Sequence, residues 1–492
     1  MLAFKQRLVD EKNCLFQHLD DDAEFADFLR GLLGKWRRAH EPRGAARDLS
    51  GEQMGARDIG LGFISSVALT SSALSIPDPA FDPVATAMKK SAQDEDFAAV
   101  LTLAPLARQM ATRPADIVWA MFANGAALGE LGRSSDEITQ YDEVIAHFGA
   151  ATELVLREGV AKAMVNKGIR LGHLGRSAEA ITQYDKVIAR FGAATEPVLR
   201  VQVAKAMVNK GISVSRLDRL EEEAITQYDA VIAHFDAVSE PTLREHVAKA
   251  MVNKGVILHR LGRGSEAISQ YDEVIARFDA VDELTLRELV ATAMVNKGIT
   301  LGRLGHRWHC EDAITQFDEM IVRFGGASEP ALRERVAKAM VNKSMTLGAL
   351  GRSDEQIAQY DEVIARFGAT NAPGLREIVA AAMLYKGFTL GQLDRSEDAI
   401  AQYDELIARY GAASEPLLRE RVATAMLNKG ITLGQLDRSE DEIAQYEELI
   451  ARYGAASEPA LREQVARARR MAERSNEQKN QKSKPRKRES NA

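Results

Sequence analysis

The chain has 492 residues, of which 46% are hydrophobic and 6% aromatic, and its formal net charge is −7. This length allows a large core and more than one domain, and the scarcity of aromatic residues favours closely packed helices over a β-sandwich. Two cysteines, Cys14 and Cys310, are too few for a disulfide framework, and acids interrupt the N-terminus where a signal peptide needs an apolar run. We therefore expect an all-α protein in a reducing compartment, the cytoplasm.

Residues 1–83 predict an N-terminal helical region with a linker. After an acidic start, "DDDAE", apolar side chains recur at helical spacing, namely at Phe25, Phe28, Leu29, Leu32, Leu33 and Trp36. Such a stripe is typical of core packing, and the alternative is a membrane or partner surface. The uncharged stretch from Ile59 to Ile76 approaches transmembrane length, but eight of its eighteen residues are Gly, Ser or Thr. We therefore expect a buried or loop-like segment and no integral membrane span.

One unit recurs through residues 113–455, after a degenerate copy that we place at residues 84–112. Its most constant segment, "AMVNKG", stands at 163–168 and again 43 residues later at 206–211. The final glycine or its equivalent returns every 43 to 46 residues, at Gly125, Gly168, Gly211, Gly255, Gly298, Ser344, Gly387 and Gly430. Eight copies at such a period indicate a solenoid.

Each unit predicts two helices joined by a turn. Apolar residues in 196–217 recur at spacings of three and four, which indicates a long amphipathic first helix. The segment 174–193 turns at Gly175 and predicts a second helix with Ala180 and Tyr184 facing inward. Because one hairpin cannot bury both of its faces, neighbouring units must stack on each other.

The segment "AMVNKGIRLGHLGRSAEAITQYDKVI" at 163–188 resembles a tetratricopeptide repeat. The resemblance places Gly168 and Ala180 where the two helices of a unit cross closely, and Leu171 and Tyr184 in the core. It implies a right-handed α-solenoid of stacked helical hairpins. The period is longer than the common one of about 34 residues and is similar to that of the long repeats of kinesin light chains.

A lysine departs from the family pattern, which usually has an apolar residue at its position. It recurs as Lys167, Lys210, Lys254, Lys297, Lys343, Lys386 and Lys429. Each unit also carries an acid after its aromatic marker, at Asp185, Asp229, Asp272, Asp318, Asp361, Asp404 and Glu447. We predict that the lysine of each unit lays its stem on the core and pairs with that acid, forming a ladder of salt bridges.

The resemblance also implies a binding surface. Tetratricopeptide proteins that bind peptides present an asparagine from the helix that lines the groove, and the matching residues are Asn166, Asn209, Asn253, Asn296, Asn342 and Asn428. An amide both donates and accepts, which suits a peptide backbone. Four residues before these asparagines, Lys162, Lys205, Lys249 and Lys338 resemble half of a clamp for a C-terminal carboxylate, whereas apolar residues replace the other half.

Further basic residues concentrate in the early units, at the end of the first helix. They are His173, Arg216, Arg260 and Arg303, and the later units have Ala349, Gln392 and Gln435 there. We predict that an acidic or carboxylate-bearing peptide binds near repeats two to five. The alternative is that the asparagines bond to neighbouring helices and bind no ligand.

The C-terminal part predicts a closing element and a tail. Residues 456–474 begin like another first helix, but Arg469 replaces a core methionine, so we expect a capping helix. Residues 475–492 predict a disordered basic tail. Within the array, the insert "GHRWHCEDA" at 305–313 holds His306, Trp308, His309 and Cys310. We expect an exposed loop there rather than a metal site, because a metal needs three or four converging ligands.

The motifs of nucleotide-binding loops, metalloproteases and serine hydrolases do not occur. We therefore predict no enzymatic activity and no cofactor, and a scaffold or adaptor that binds a peptide or helix of a partner protein. The alternative is a regulatory or self-associating protein whose basic tail contacts nucleic acid or an acidic membrane. Nucleic acid is not expected to bind except through the tail. Sequence-specific reading by the tail is not expected either, since no aromatic residues interleave its charges.

Overall fold

The computed structural model describes residues 81–482, except 218–219, 236–239 and 280. Most of the predicted N-terminal region, with its apolar stripe and its uncharged stretch, lies outside the described residues. The last ten residues of the predicted tail also lie outside them.

The described residues form helices joined by short turns, without strands. In chain order the helices are α1 (Phe81–Gln93), α2 (Phe97–Met110), α3 (Pro114–Glu130), α4 (Ser134–Phe148), α5 (Leu154–His173), α6 (Ser177–Phe191), α7 (Pro197–Val214), α8 (Glu221–Phe235), α9 (Pro241–Arg260), α10 (Gly264–Phe278), α11 (Leu284–Arg303), α12 (Arg307–Phe324), α13 (Pro330–Ala349), α14 (Ser353–Phe367), α15 (Pro373–Gln392), α16 (Ser396–Tyr410), α17 (Pro416–Gln435), α18 (Ser439–Tyr453) and α19 (Pro459–Lys482).

The helices α3 to α18 form eight consecutive hairpins, which we number as units 1 to 8. Each helix packs against the next along the chain, and the first helices of neighbouring units also contact each other. The helices α1 and α2 make a further hairpin before unit 1, where a degenerate repeat was predicted, and α19 packs on the last unit. The predicted fold class, an all-α solenoid of stacked helical hairpins, is confirmed.

The two sides of the stack differ in how neighbouring units meet. First helices approach each other closely, whereas the second helices of adjacent units have no such backbone approach within the described residues. Arginine side chains bridge the second helices instead; for example, Arg190 of α6 donates a hydrogen bond to the carbonyl of Gly149, which follows α4. We call the side that the first helices share the inner side.

A glycine and an aromatic ring hold the two helices of each unit together. A Cβ atom placed on Gly168 would lie 2.5 Å from Cε1 of Tyr184, and a Cβ on Gly255 would lie equally close to Tyr271. Both rings are only 1% exposed. The predicted close crossing is therefore made by a tyrosine that packs flat against a helix backbone without a side chain.

The turn between the two helices requires a residue with a positive φ angle, in the left-handed region of backbone conformation. Gly175 has φ +75°, and the same turn position in units 7 and 8 is filled by Asp394 at +60° and Asp437 at +56°. Aspartate tolerates this region better than most residues with a Cβ atom. The predicted turn at Gly175 is confirmed.

The end of the array differs from its prediction. Helix α19 continues to Lys482, so residues 475–482 are helical rather than part of a disordered tail. Ser475 Oγ donates to Glu442 Oε1 over 2.8 Å, and Lys479 Nζ lies 2.8 Å from Glu440 Oε1. These contacts with α18 stabilise the additional turns, which composition alone did not indicate.

The insert in unit 5 also differs from its prediction. Its residues from Arg307 onward are helical, so that α12 has 18 residues whereas the corresponding helix of unit 4 has 15. Trp308 lies in this additional turn and is 63% exposed, whereas Cys310 is buried. The insert is therefore an extension of a helix rather than a loop. No group of three metal-ligating side chains occurs in the part of the chain that the structure describes.

Candidate functional site

The predicted ladder of lysines and acids is present, but it joins neighbouring units. Lys254 Nζ lies 2.6 Å from Asp229 Oδ1 of the preceding unit, and Lys210 Nζ lies 2.8 Å from Asp185 Oδ1. The same contact recurs at Lys167–Asp142, Lys297–Asp272, Lys343–Asp318, Lys386–Asp361 and Lys429–Asp404. The predicted pairing within a unit is wrong, because each first helix packs against the second helix of the unit before it.

The predicted asparagines face the same interface. The amide of Asn253 lies beside the hydroxyl of Tyr228 in the preceding unit, and those of Asn166 and Asn296 lie beside Tyr141 and Tyr271. Asn428 lies in the same way beside Tyr403. Burial raises the pKa of these tyrosines, and the neighbouring amide opposes that rise. Each of these amides thus partners a hydroxyl that has been removed from water.

Two units show what happens when this contact changes. In unit 5 the tyrosine is replaced by Phe317, which has no hydroxyl, and Asn342 instead donates to the backbone carbonyl of Lys338 over 2.8 Å. In unit 7 the asparagine is replaced by Tyr385, whose ring centroid lies 6.3 Å from that of Tyr360. In unit 3, Asn209 also donates to a backbone carbonyl of its own helix, that of Lys205, although Tyr184 of the preceding unit has its hydroxyl. These contacts give the asparagines partners within the protein, and peptide binding by them stays a prediction.

A second set of residues faces outward from the first helices on the inner side. In α9 these are Glu245, Lys249, Asn253, Val256 and Arg260, all half-buried or exposed. We call these five positions, together with their equivalents in the other first helices, the inner stripe. The predicted lysines, asparagines and arginines all belong to it.

Three lysines of the inner stripe lie close enough to influence one another. Lys162 Nζ is 2.6 Å from Glu158 Oε1, and Lys249 Nζ is 2.5 Å from Glu245 Oε1, each one turn earlier on its own helix. In α7 between them, Val201 stands where the acid would be. Burial, and then the charges of Lys249 and Lys162, lower the pKa of Lys205 to about 8.

A buried histidine lies beneath this cluster and was missed from the sequence. His246 is 7% exposed, and burial followed by the charges of Lys249 and Lys205 lowers its pKa to about 3. The only signal is that this position changes from Gly159 to Gln202 to His246 while its neighbours repeat. We call Lys162, Lys205, Lys249 and His246 the lysine cluster.

The predicted arginines lie at the end of the inner stripe and contact neighbouring units. Arg216 Nη1 donates to the carbonyl of Gly172 over 3.0 Å, and Arg260 Nη2 lies 3.7 Å from Glu221 Oε1. Arg303 Nη1 lies 2.7 Å from Nε2 of His259. All three arginines are nevertheless exposed. They extend the positive charge of the lysine cluster along the inner side.

The later units present a different surface, which was also missed from the sequence. At the position of Val256, units 6 and 7 have Met345 and Phe388, which are 37% and 50% exposed. The lysine and arginine positions of unit 7 hold Ala381 and Gln392. Along the chain the inner stripe therefore loses basic side chains in unit 7, and exposed apolar side chains appear in units 6 and 7.

None of the helices that the structure describes combines the length and the apolar character that a membrane crossing requires.

The comparisons with known proteins agree with this architecture. The family model of the tetratricopeptide repeat matches residues 222–282, which include α9 and α10. Comparison with curated protein sequences finds no match. The predicted resemblance is confirmed, since the other units repeat the same hairpin and the same glycine–aromatic contact. Residues 222–282 thus match a tetratricopeptide repeat, and the other units repeat its helical hairpin with a longer period of 43 to 46 residues.

Solved structures with similar helical repeats are distant in sequence. A tetratricopeptide repeat protein from Parabacteroides merdae ATCC 43184 is 13% identical, covers 63% of this chain and 98% of its own, and gives a TM-score of 0.37. The apo form of RapI is 10% identical with coverages of 74% and 99% and a TM-score of 0.46. The apo quorum sensor NprR from B. thuringiensis is 14% identical with coverages of 78% and 99% and a TM-score of 0.45. Because all three TM-scores are below 0.5, these likenesses say nothing about a ligand.

Proposed function

We propose that the array is a non-enzymatic cytoplasmic scaffold or adaptor that binds an acidic peptide segment of a partner protein along the inner stripe of units 2 to 5. Tetratricopeptide repeats are typical of protein-interaction scaffolds, and stacked helices provide a long surface for an extended ligand. The observation that carries the proposal is the lysine cluster, which places three cationic side chains at one repeat position of three consecutive first helices.

The balance of charge within the cluster supports an anionic ligand. Lys162 and Lys249 each have a glutamate one turn earlier on their own helix, whereas Lys205 has Val201 there and lies near Glu245 of the neighbouring first helix. The lowered pKa of Lys205 means that its protonated form is disfavoured by burial and by its cationic neighbours. A carboxylate bound beside Lys205 relieves this repulsion, which favours binding of an acidic side chain or of a chain terminus.

We assign two roles to the predicted site residues. The asparagines hold neighbouring units together through the buried tyrosines, and their amides retain further donor and acceptor capacity for a peptide backbone. The lysines, together with Arg216, Arg260 and Arg303, supply the positive charge. We therefore expect the lysines to determine affinity and the asparagines to determine mainly the geometry of the groove.

The test is binding to an array of acidic peptides, followed by titration of the best binder against the full chain by fluorescence anisotropy. We expect the triple variant Lys162→Gln, Lys205→Gln and Lys249→Gln to bind about tenfold more weakly or worse, because charged contacts of this kind are each worth on the order of 1 kcal/mol. Binding to the parent should also weaken as salt is added.

The matched control is Lys186→Gln, an exposed lysine on the second helix α6. It removes a positive charge from the protein but not from the inner stripe, so the affinity should stay at the parental value. The proposal fails if no acidic peptide binds, or if the triple variant and the control bind equally well. Circular dichroism should show unchanged helix content in all the variants.

A further inference from the structure

The inner stripe of units 6 and 7 has exposed apolar side chains that the acidic-peptide proposal does not use. Phe388 is 50% exposed and Met345 is 37% exposed, although both are on first helices whose other inner side chains are mostly half-buried or buried. At the position of Phe388, units 2 to 5 have isoleucine or valine. A half-exposed aromatic ring there is a candidate contact for a partner.

The positions one turn before and one turn after Phe388 on its helix hold an aromatic residue and a glycine. Three residues earlier, Tyr385 is 9% exposed and lies between the ring of Tyr360 and the guanidinium of Arg421, which is 5.9 Å from the Tyr385 ring centroid. Three residues later, a Cβ placed on Gly391 would meet only the Cβ of Ala399, at 3.9 Å. Phe388 therefore lies on α15 between a buried tyrosine one turn earlier and a glycine one turn later.

The basic charge of the inner stripe falls in unit 7, where Phe388 lies. The lysine position holds Lys249 in unit 4, Thr292 in unit 5, Lys338 in unit 6 and Ala381 in unit 7, and the arginine position changes from Arg303 in unit 5 to Ala349 and Gln392 in the next two units. A ligand that is acidic throughout would lose its complementary charge at this point. A ligand with an apolar residue there would instead remove Phe388 and Met345 from water.

We propose that the groove has two parts and that its occupant is a partner segment in which an acidic stretch, bound by the lysine cluster, is followed by an aromatic or aliphatic residue that packs on Phe388 and Met345. The inference rests on the proposed function and adds the second half of the ligand. Charge complementarity selects the acidic part, and the exposed ring selects the apolar part.

The architecture sets the spacing between the two parts of the ligand. Lys249 on α9 and Phe388 on α15 are separated by three steps between adjacent first helices, each of ~9 Å for packed helices. The total of ~27 Å corresponds to about eight residues of extended chain at ~3.3 Å per residue. The partner segment should therefore place its apolar residue about eight residues from the acidic stretch that binds Lys249.

The experiment uses fluorescein-labelled peptides and the full chain. Each peptide has a block of glutamates and a single phenylalanine, separated by Gly-Ser spacers of about 4, 8 or 12 residues, around the expected length. We expect the tightest binding at the middle spacing and about a tenfold loss when the phenylalanine is replaced by serine, a typical effect of a buried aromatic contact. The protein variant Phe388→Ser should lose the same factor and show no dependence on spacing.

The matched control is Val322→Ser, which removes an apolar side chain that is 85% exposed on the second helix α12, away from the inner stripe. It should leave binding unchanged. If glutamate peptides bind but the affinity is the same at every spacing and in Phe388→Ser, the two-part groove is wrong while the acidic-peptide proposal stands. If peptides bind without their glutamates, or if no peptide binds at all, both proposals fail.

Discussion

The interface between neighbouring units and the inner stripe lie on the same first helices. The lysine–aspartate pair of the interface stays the same along the chain, whereas the residues of the inner stripe change. At the interface, the lysine–aspartate pair recurs from unit 2 to unit 8 with Nζ–Oδ1 distances of 2.5 to 2.8 Å. On the inner stripe, Lys205 in unit 3 becomes Ala381 in unit 7. Stacking requires every unit to present the same surface to its neighbour, whereas solvent imposes no such requirement. The varying stripe is therefore the part of the array that can specify a ligand.

The largest effect is expected from filling the close crossing inside a unit. Gly255→Val places branched carbons where even a single Cβ would lie 2.5 Å from the ring of Tyr271. Because that ring is buried between helices, the two helices must separate, which should cost at least ~2 kcal/mol of unfolding free energy. Urea denaturation followed by circular dichroism measures the loss.

The matched control for this change is Gly391→Ala on the inner stripe side of unit 7. A Cβ there meets only Ala399, at 3.9 Å, and alanine favours a helix over glycine by about 0.5 to 1 kcal/mol. This variant should be as stable as the parent or slightly more stable. Equal destabilisation by both changes would mean that the close contact between Gly255 and Tyr271 is not what makes Gly255→Val destabilising.

The next effect is a pH dependence that arises from the lysine cluster. The pKa of His246 is lowered to about 3 by burial, Lys249 and Lys205, with Glu245 also near, whereas an unfolded histidine titrates near 6.5. The unfolded chain therefore binds an additional proton below about pH 6.5, and stability decreases as the pH falls from there towards 3. We expect this histidine to account for a loss of about 1 to 2 kcal/mol between pH 6.5 and 5.

Urea midpoints at several pH values test this expectation. His246→Gln cannot take up a proton, so its stability should depend less on pH than that of the parent. The control His234→Gln changes an exposed histidine on α8 and should keep the parental profile. Identical profiles for the parent and His246→Gln would contradict a neutral, buried histidine beneath the lysines.

The smallest effect is expected from the salt-bridge ladder. Lys254 and Asp229 have side chains that are 22% and 51% exposed, so solvent screens their attraction. Lys254→Met should cost about 0.5 to 1 kcal/mol. A double-mutant cycle of Lys254→Met and Asp229→Asn measures the coupling energy of this pair. A second cycle, of Lys254→Met and Asp272→Asn, is the control, because Asp272 pairs with Lys297. A coupling energy of zero in the first cycle would mean that the ladder does not stabilise the stack.

Much of the architecture could be predicted because it repeats. The return of glycine and tyrosine at a fixed period predicts hairpins, their close crossing and the turn at Gly175, since each feature follows from local spacing. The partner of each lysine could not be predicted in the same way. The acids of adjacent units have the same sequence context, and only the packing of α9 against α8 decides that Lys254 pairs with Asp229 and not with Asp272.

The candidate site likewise has features that the sequence predicts and features that only the structure shows. The sequence by itself determined which residues occupy the inner stripe, including the basic early units, because those positions follow from helical periodicity. Only the tertiary structure decided that the asparagines face buried tyrosines, that Lys205 lies among other lysines above His246, and that Phe388 stays half exposed. Exposure and charge coupling depend on side chains from neighbouring units, which lie about 43 residues apart in the chain and meet only when the units stack.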